Sequence, residues 1–529
     1  MPPHKAVLSL TNTCIEWVLD WLYTSLKLQG SLKERLQQRQ YVTTHLTSNI
    51  RQRLINITFR QHMYKWSLSH KCLMLEVLGD TSTQCIDFTE GGYAYVDEVW
   101  QFYRSLNVIK IINLTRLGIF CKIKTDSDKK YLPDINNTFY RAFDQMKNLR
   151  WVTLKGVADK TFLLTMGTNC PHLEKLNIAQ SPRIDDEAVA NLIIRNTSPA
   201  EGQKSVQVGA QHIPTNLCAN SLKMVCVSET NVTLASAGIL LHFVPNLESF
   251  GGDIHAGSLC CVINDLHLKE GHKSFKLQEL WDARILPQQA SLLNKVCPQL
   301  TRLSTDASSL GSLENLSSIT SLTLSLYYQN FENDIYDYLL ENGEKLKELI
   351  LVDHINCNLD LSWLAELAPN LEHLVATVSL EEGREVLKWP SLKTAQLSVE
   401  SSRVLLALLT SITEIRDLDI TFVRAPYQET FECINDDLII CAVTEDGLRK
   451  LQKLKIYECA IGLKGIDCLL LHCPDLCYLA PLTFWHGLIN EDFQSLVQRI
   501  KENNWQLKLI MRADWEDDKE LQEASKVPS

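Results

Sequence analysis

The hexad Leu173-Glu174-Lys175-Leu176-Asn177-Ile178 is one copy of a pattern that governs most of this chain. Its spacing, Leu-x-x-Leu-x-Leu, returns in degenerate form from Leu149, Leu222, Leu247, Leu277, Leu300, Ile319, Leu346, Leu371, Leu392, Ile415, Leu451 and Leu476. Most intervals are about 20 to 30 residues, enough for a short strand, a turn and a returning helix. Alternation along the strand puts Leu176 and Ile178 on one face and Lys175 and Asn177 on the other. A segment such as Asp186 to Arg195 then supplies the helix. One copy cannot bury its own apolar face, so the core exists only when copies stack.

The pattern predicts an α/β leucine-rich-repeat solenoid, a horseshoe, over residues 81–529, behind a helical N-terminal cap or adaptor in residues 1–80. At 529 residues, with 45% hydrophobic content, the chain has ample core material, and no Gly/Ser or Pro-rich linker divides it. Residues 82–145 read as early, degenerate repeats, with Cys85 to Phe88 as a first strand and Leu106 with Ile109 to Leu114 as a second. Two long intervals hold insertions, Thr197 to Ala219 and Arg424 to Asp437, of the kind that sits beside a binding face.

The net charge of -11 argues against nucleic-acid binding as the main business of the molecule. Seventeen cysteines are scattered without a Cys-x-x-Cys pair, and Cys170, Cys297 and Cys473 stand in Cys-Pro-x-Leu as small apolar residues closing a helix. The expectation is a reduced cytoplasmic or nuclear protein with no membrane span. Phosphate loops, zinc spacings, His-Glu-x-x-His and Gly-x-Ser-x-Gly are absent from the sequence, and Cys260-Cys261 reads as core or loop, so neither catalysis nor a metal or cofactor is expected. The acidic stretch Asp514 to Glu523 reads as a solvated cap of the last repeat.

The first 80 residues have a different periodicity. Ser9 to Leu28 reads as a helix apolar nearly all round, which requires burial on more than one side. Further helices are expected from about Thr47, carrying Ile50, Leu54 and Ile57, and from about His62 to Leu78, so that three precede the first strand. Ser9-Leu10-Thr11-Asn12-Thr13-Cys14-Ile15-Glu16-Trp17-Val18 fits the elongin-binding BC-box pattern of a small polar residue, Leu, three free positions, Cys, three more and an aliphatic residue. About thirty residues on, Leu46-Thr47-Ser48-Asn49-Ile50-Arg51-Gln52-Arg53-Leu54 resembles a cullin box. Two boxes ahead of leucine-rich repeats resemble the cullin-two substrate receptors of the Zyg/Zer group and the von Hippel-Lindau-box type.

That resemblance implies a non-enzymatic substrate-recognition subunit of a ubiquitin ligase, partnered by elongin C, elongin B and a cullin with its RING subunit. It implies that Leu10, Cys14 and Val18, on one helical stripe, enter a groove of elongin C, while Trp17 and Trp21 hold the helix to its own domain. Leu46, Ile50 and Leu54 would face the cullin. Two departures stand out: Thr47 replaces the usual proline, and the armadillo-like C-terminal half of the Zyg/Zer group is not evident. Thr can start a helix by capping as Pro does by fixed geometry.

Strand positions between the buried leucines give the concave face expected to bind a protein substrate, including Trp151, Lys155, Lys175, Asn177, Arg302, His373, Asp417, Lys453 and Tyr457. Trp281, Arg284, Asp306 and Tyr327 are the substrate-binding candidates, because exposed Trp, Tyr and Arg are the usual hot spots of interfaces. Two other readings exist: a leucine-rich scaffold whose helices merely cap the core, and an F-box-type receptor, although the Leu-Pro-x-Glu start of an F-box is missing.

Overall fold

The computed structural model describes residues 10–28, 32–59, 67–89, 94–109, 111–121, 137, 139–140, 143–195, 214–251, 258–269, 274–327, 329–354, 357–381, 383–384, 388–422, 434–444 and 447–510. The described residues divide into two compact units, one built from residues within 10–281 with 295–300 and the other from residues within 282–294 and 301–510.

In the first unit the strands are β1 (Cys85–Asp87), β2 (Arg116–Phe120), β3 (Trp151–Lys155), β4 (Lys175–Asn177), β5 (Met224–Cys226), β6 (Ser249–Gly251) and β7 (Glu279–Asp282). They pair in chain order and all parallel, with Arg116, Trp151, Lys175, Met224, Ser249 and Glu279 in one register row. The second unit continues with β8 (Arg302–Asp306), β9 (Ser321–Ser325), β10 (Glu348–Val352), β11 (Asn358–Asp360), β12 (His373–Ser379), β13 (Thr394–Val399), β14 (Asp417–Phe422), β15 (Lys453–Ile456), β16 (Tyr478–Ala480) and β17 (Lys508–Leu509). These too are parallel, β10 pairing both with β9 and, past the short β11, with β12. Parallel neighbours joined through helices are the leucine-rich-repeat architecture.

The sequence register accounts for this order. All thirteen lead residues named above are buried, and each is followed two positions later by the first residue of a strand, from Leu149 before Trp151 to Leu476 before Tyr478. Helices return between strands and are started by short polar side chains. Asp159 accepts from the Phe162 amide, Asp185 from Ala188, Ser401 from Val404, and Asp360 from both Ser362 and Trp363. Cys170 and Cys473 close their helices as expected, and with Cys297 they are fully buried, where a residue larger than Cys would crowd the lead leucine.

The N-terminal region departs from the sequence expectation in three respects. Four helices, not three, precede β1 among the described residues: α1 (Leu10–Leu28), α2 (Leu32–His45), α3 (Ser48–Phe59) and α4 (Leu68–Leu78). The unforeseen α2 shows no apolar stripe, with Leu36 and Tyr41 exposed and Val42 buried. It is held instead by polar contacts: Arg35 Nε lies 3.0 Å from Glu76, and Arg39 donates to the Ile109 carbonyl at 3.1 Å. Leu106 and Ile109, read as strand, belong to the helix α5 (Val96–Ile109), and the strand begins later, at Arg116. There Leu114, fully buried two residues ahead, is the true lead residue. Trp66, residues 197–213 and 424–433 of the two insertions, and Asp514 to Glu523 lie outside the described residues.

Candidate functional site

Helix α1 packs against α3 and α4 through Ile15, Leu19, Leu22 and Leu26, all buried. These positions recur at three- and four-residue intervals, so they define one face. A flank about a third of a turn round the helix carries Cys14, exposed, and Val18, half-buried. Trp17 and Trp21 stand on it 69% and 43% exposed. Here the structure corrects the expectation that both indoles anchor the helix to its own domain. The inward-facing positions are already filled by aliphatic residues, which leaves the tryptophans outward beside Cys14 and Val18. A ridge at i, i+3, i+4 and i+7 is the geometry with which a helix enters an apolar groove. The Leu10 backbone opens α1, but its side chain lies outside the described residues.

The cullin-box-like segment is split by the fold. Thr47 is exposed directly before α3, and Ile50, at 38% exposure, faces solvent. Leu46 is half-buried. Leu54, expected on the same outward stripe, is instead fully buried in the core beside Ile55 and Phe59. The rotation is set by Arg51, which is itself buried. Its guanidinium donates to the Leu46 carbonyl, to Asp80 and, at 3.4 Å, to Ser82 Oγ. Turning Arg51 inward turns Leu54, three positions on, inward with it. A second, partly buried pair lies nearby, the buried Glu76 accepting from the half-buried Arg35 and from Ser105 Oγ at 3.0 Å. Paired buried charges fix the orientation of α2, α3 and α4 at the cost of desolvation.

Among the substrate-face candidates, Asp306 and Tyr327 are brought together. Burial raises the Asp306 carboxyl above the usual carboxylate range, the Tyr327 hydroxyl donates to it, and the nearby Asp282 pushes in the same direction as burial. Tyr327 is 52% exposed and held at φ +46°, a left-handed backbone unusual for a bulky residue. Trp281 is half-buried at the end of the first unit, and Arg284 is exposed in the second.

Electrostatics separate the open sheet faces of the two units. In the second, cations meet carboxylates row by row: Arg302 lies 3.4 Å from Glu348, Lys393 2.5 Å from Glu372, Lys453 2.7 Å from Asp417, and Lys455 3.4 Å from Asp419. In the first, the 39% exposed Trp151 ring lies between two cations, the Arg116 guanidinium 5.3 Å and the Lys175 ammonium 4.8 Å from its centroid. Sequence reading placed Trp151, Lys155 and Lys175 on this face but gave no reason to prefer them; the signal was three consecutive strands each opening or closing on a cation or an aromatic ring.

No cluster of metal-ligating side chains occurs among the described residues, and no described helix is long and apolar enough to cross a membrane. Burial pushes the thiols of Cys170, Cys297 and Cys473 up to about 12, so they are protonated and unreactive at neutral pH.

No family model matches the sequence, and no curated protein matches it. Solved structures with a similar course of chain include a complex of Rad7 and Elc1 from yeast, at 12% identity over 87% of this chain and 96% of that one, TM-score 0.43. An internalin from Listeria monocytogenes str. 4b F2365 follows at 16% identity over 66% and 78%, TM-score 0.29. A TLR13–ssRNA13 complex matches at 11% identity over 84% of this chain and 60% of that one, TM-score 0.38. The leucine-rich-repeat architecture itself is read from the strand register and buried lead residues of this chain.

Proposed function

We propose that this chain is the substrate-recognition subunit of an elongin BC–cullin-RING ubiquitin ligase, docking elongin C through α1 and capturing a protein target on its repeats. The carrying observation is the outward apolar ridge Cys14, Trp17, Val18 and Trp21 on a helix whose other face is fully packed. Two exposed indoles on a helix already anchored elsewhere serve no purpose in the core. They are the amphipathic, rigid anchors that protein interfaces favour. Cys14 and Val18 of the BC-box spacing lie on that ridge, and the exposed Ile50 of the cullin-box-like segment sits on a neighbouring helix. Ubiquitin-transfer chemistry would belong to the partner subunits.

Co-precipitation of the full chain with elongin C and with the cullin tests the reading. Cys14→Arg should remove elongin capture, since losing a central interface anchor weakens binding by about 2 kcal/mol or more, roughly thirtyfold. Ile50→Asp should abolish cullin association while elongin association persists, because a charge enters only the cullin contact. Wild type that never captures elongin C, or Cys14→Arg that captures it normally, contradicts the proposal.

A further inference from the structure

We infer that the open face of β2–β4 docks an acidic peptide segment, which, resting on the receptor reading above, is the part of the target that the chain captures. Arg116, Trp151 and Lys175 share one register row across three strands, and Phe120 pairs with Lys155 two rows further on. The Lys155 ammonium lies 5.5 Å from the Phe120 centroid, as Lys175 lies 4.8 Å from Trp151. Between these two rows runs a row of shorter side chains, Thr153 in register with Asn177 and Asn177 with Cys226. One ring with its cation or cations in each outer row, Trp151 in one and Phe120 in the other, thus flanks a row of shorter side chains along which an extended chain can lie.

The charge balance selects the occupant. Arg116 is neutralised by Asp87, 2.5 Å away. Neighbouring carboxylates are also committed, Glu174 to Arg150 at 3.4 Å and Glu248 to Lys223 at 3.1 Å. Among the described residues neither Lys155 nor Lys175 has a carboxylate partner, in a chain whose net charge is -11. Cations resting on rings remain available to a carboxylate while the rings offer stacking surface. Nucleic acid would require many more free cations, since a backbone-binding surface typically makes about 6 to 10 phosphate contacts. An acidic peptide needs only the two lysines, an apolar flank and that row of shorter side chains. Electrostatic complementarity of this kind sets partner choice and association rate.

The test is fluorescence anisotropy of a short fluorescein-labelled peptide of Glu and Asp, titrated with the full chain in the absence of other proteins. Saturable binding that weakens as salt rises is expected. The double variant Lys155→Glu, Lys175→Glu should bind about tenfold or more weakly. Trp151→Ala should also weaken it, and Lys453→Glu, whose native ammonium is already held by Asp417, should not. Equal binding of a matched Gln and Asn peptide, unchanged affinity in the double variant, or displacement of the peptide by a lower concentration of oligouridylate overturns the inference. Because no elongin is present, failure of elongin capture leaves this result standing, and failure of peptide binding leaves the elongin contact standing.

Discussion

His354 follows β10, with Nδ1 donating to the Leu351 carbonyl at 2.9 Å and Nε2 3.4 Å from Ser398 Oγ. Burial lowers its pKa, against the opposing effects of the Leu351 carbonyl and Asp353. The folded protein therefore holds the ring neutral at a pH where an unfolded histidine, with a pKa of about 6.5, takes up a proton. Its contribution is fully present above that value and declines as pH falls from there towards the lower folded pKa. Urea unfolding of wild type and His354→Gln should show a stability difference in favour of wild type that is constant above neutrality and shrinks as pH falls below the unfolded value of about 6.5. A difference that stays constant across that range would mean the ring is not held neutral by the fold. Such residues are poorly legible in sequence. His354 and the buried Arg51 look like any polar residue in a repeat or an amphipathic helix, because burial of a polar group depends on partners distant in the chain, as Asp80 is from Arg51.

At the scale of the element, α1 has a packed side and an exposed side, and substitutions on the two should separate stability from the proposed elongin contact. Leu22→Ala removes a fully buried side chain and should destabilise the protein by about 2 to 5 kcal/mol. Trp17→Ala, at 69% exposure, should leave stability within about 0.5 kcal/mol of wild type while weakening elongin C capture. Chemical denaturation beside a pull-down checks both, and a large loss of stability in Trp17→Ala would make that indole a core residue. Which residues of α1 face outward was not legible, because the helix is apolar nearly all round and periodicity then points nowhere. The repeats were legible for the opposite reason: a buried leucine two residues before each strand, recurring through the chain, leaves a single register. Strand β2 was missed because its lead, Leu114, follows a helix that ends in the apolar run around Ile109 and Ile111, where the sequence alternates like a strand.

Across the whole molecule, the open sheet faces of the two units differ in how their charges are paired. On the open face of the second unit Arg302, Lys453 and Lys455 pair with carboxylates, whereas on β2–β4 of the first Lys155 and Lys175 rest on rings. The same first unit presents the α1 ridge. Helices α1 to α4 bury residues against one another and α5, so these helices belong to that unit's core and point variants probe the ridge better than truncation. The proposed elongin contact rests on that ridge. Its most direct test is calorimetric titration of purified elongin C into the full chain, beside the double variant Trp17→Ala, Trp21→Ala. Saturable one-to-one binding by wild type, weakened at least thirtyfold in the variant with no change in its unfolding midpoint, is the predicted result; no heat of binding with wild type, or equal affinity for both proteins, would contradict it.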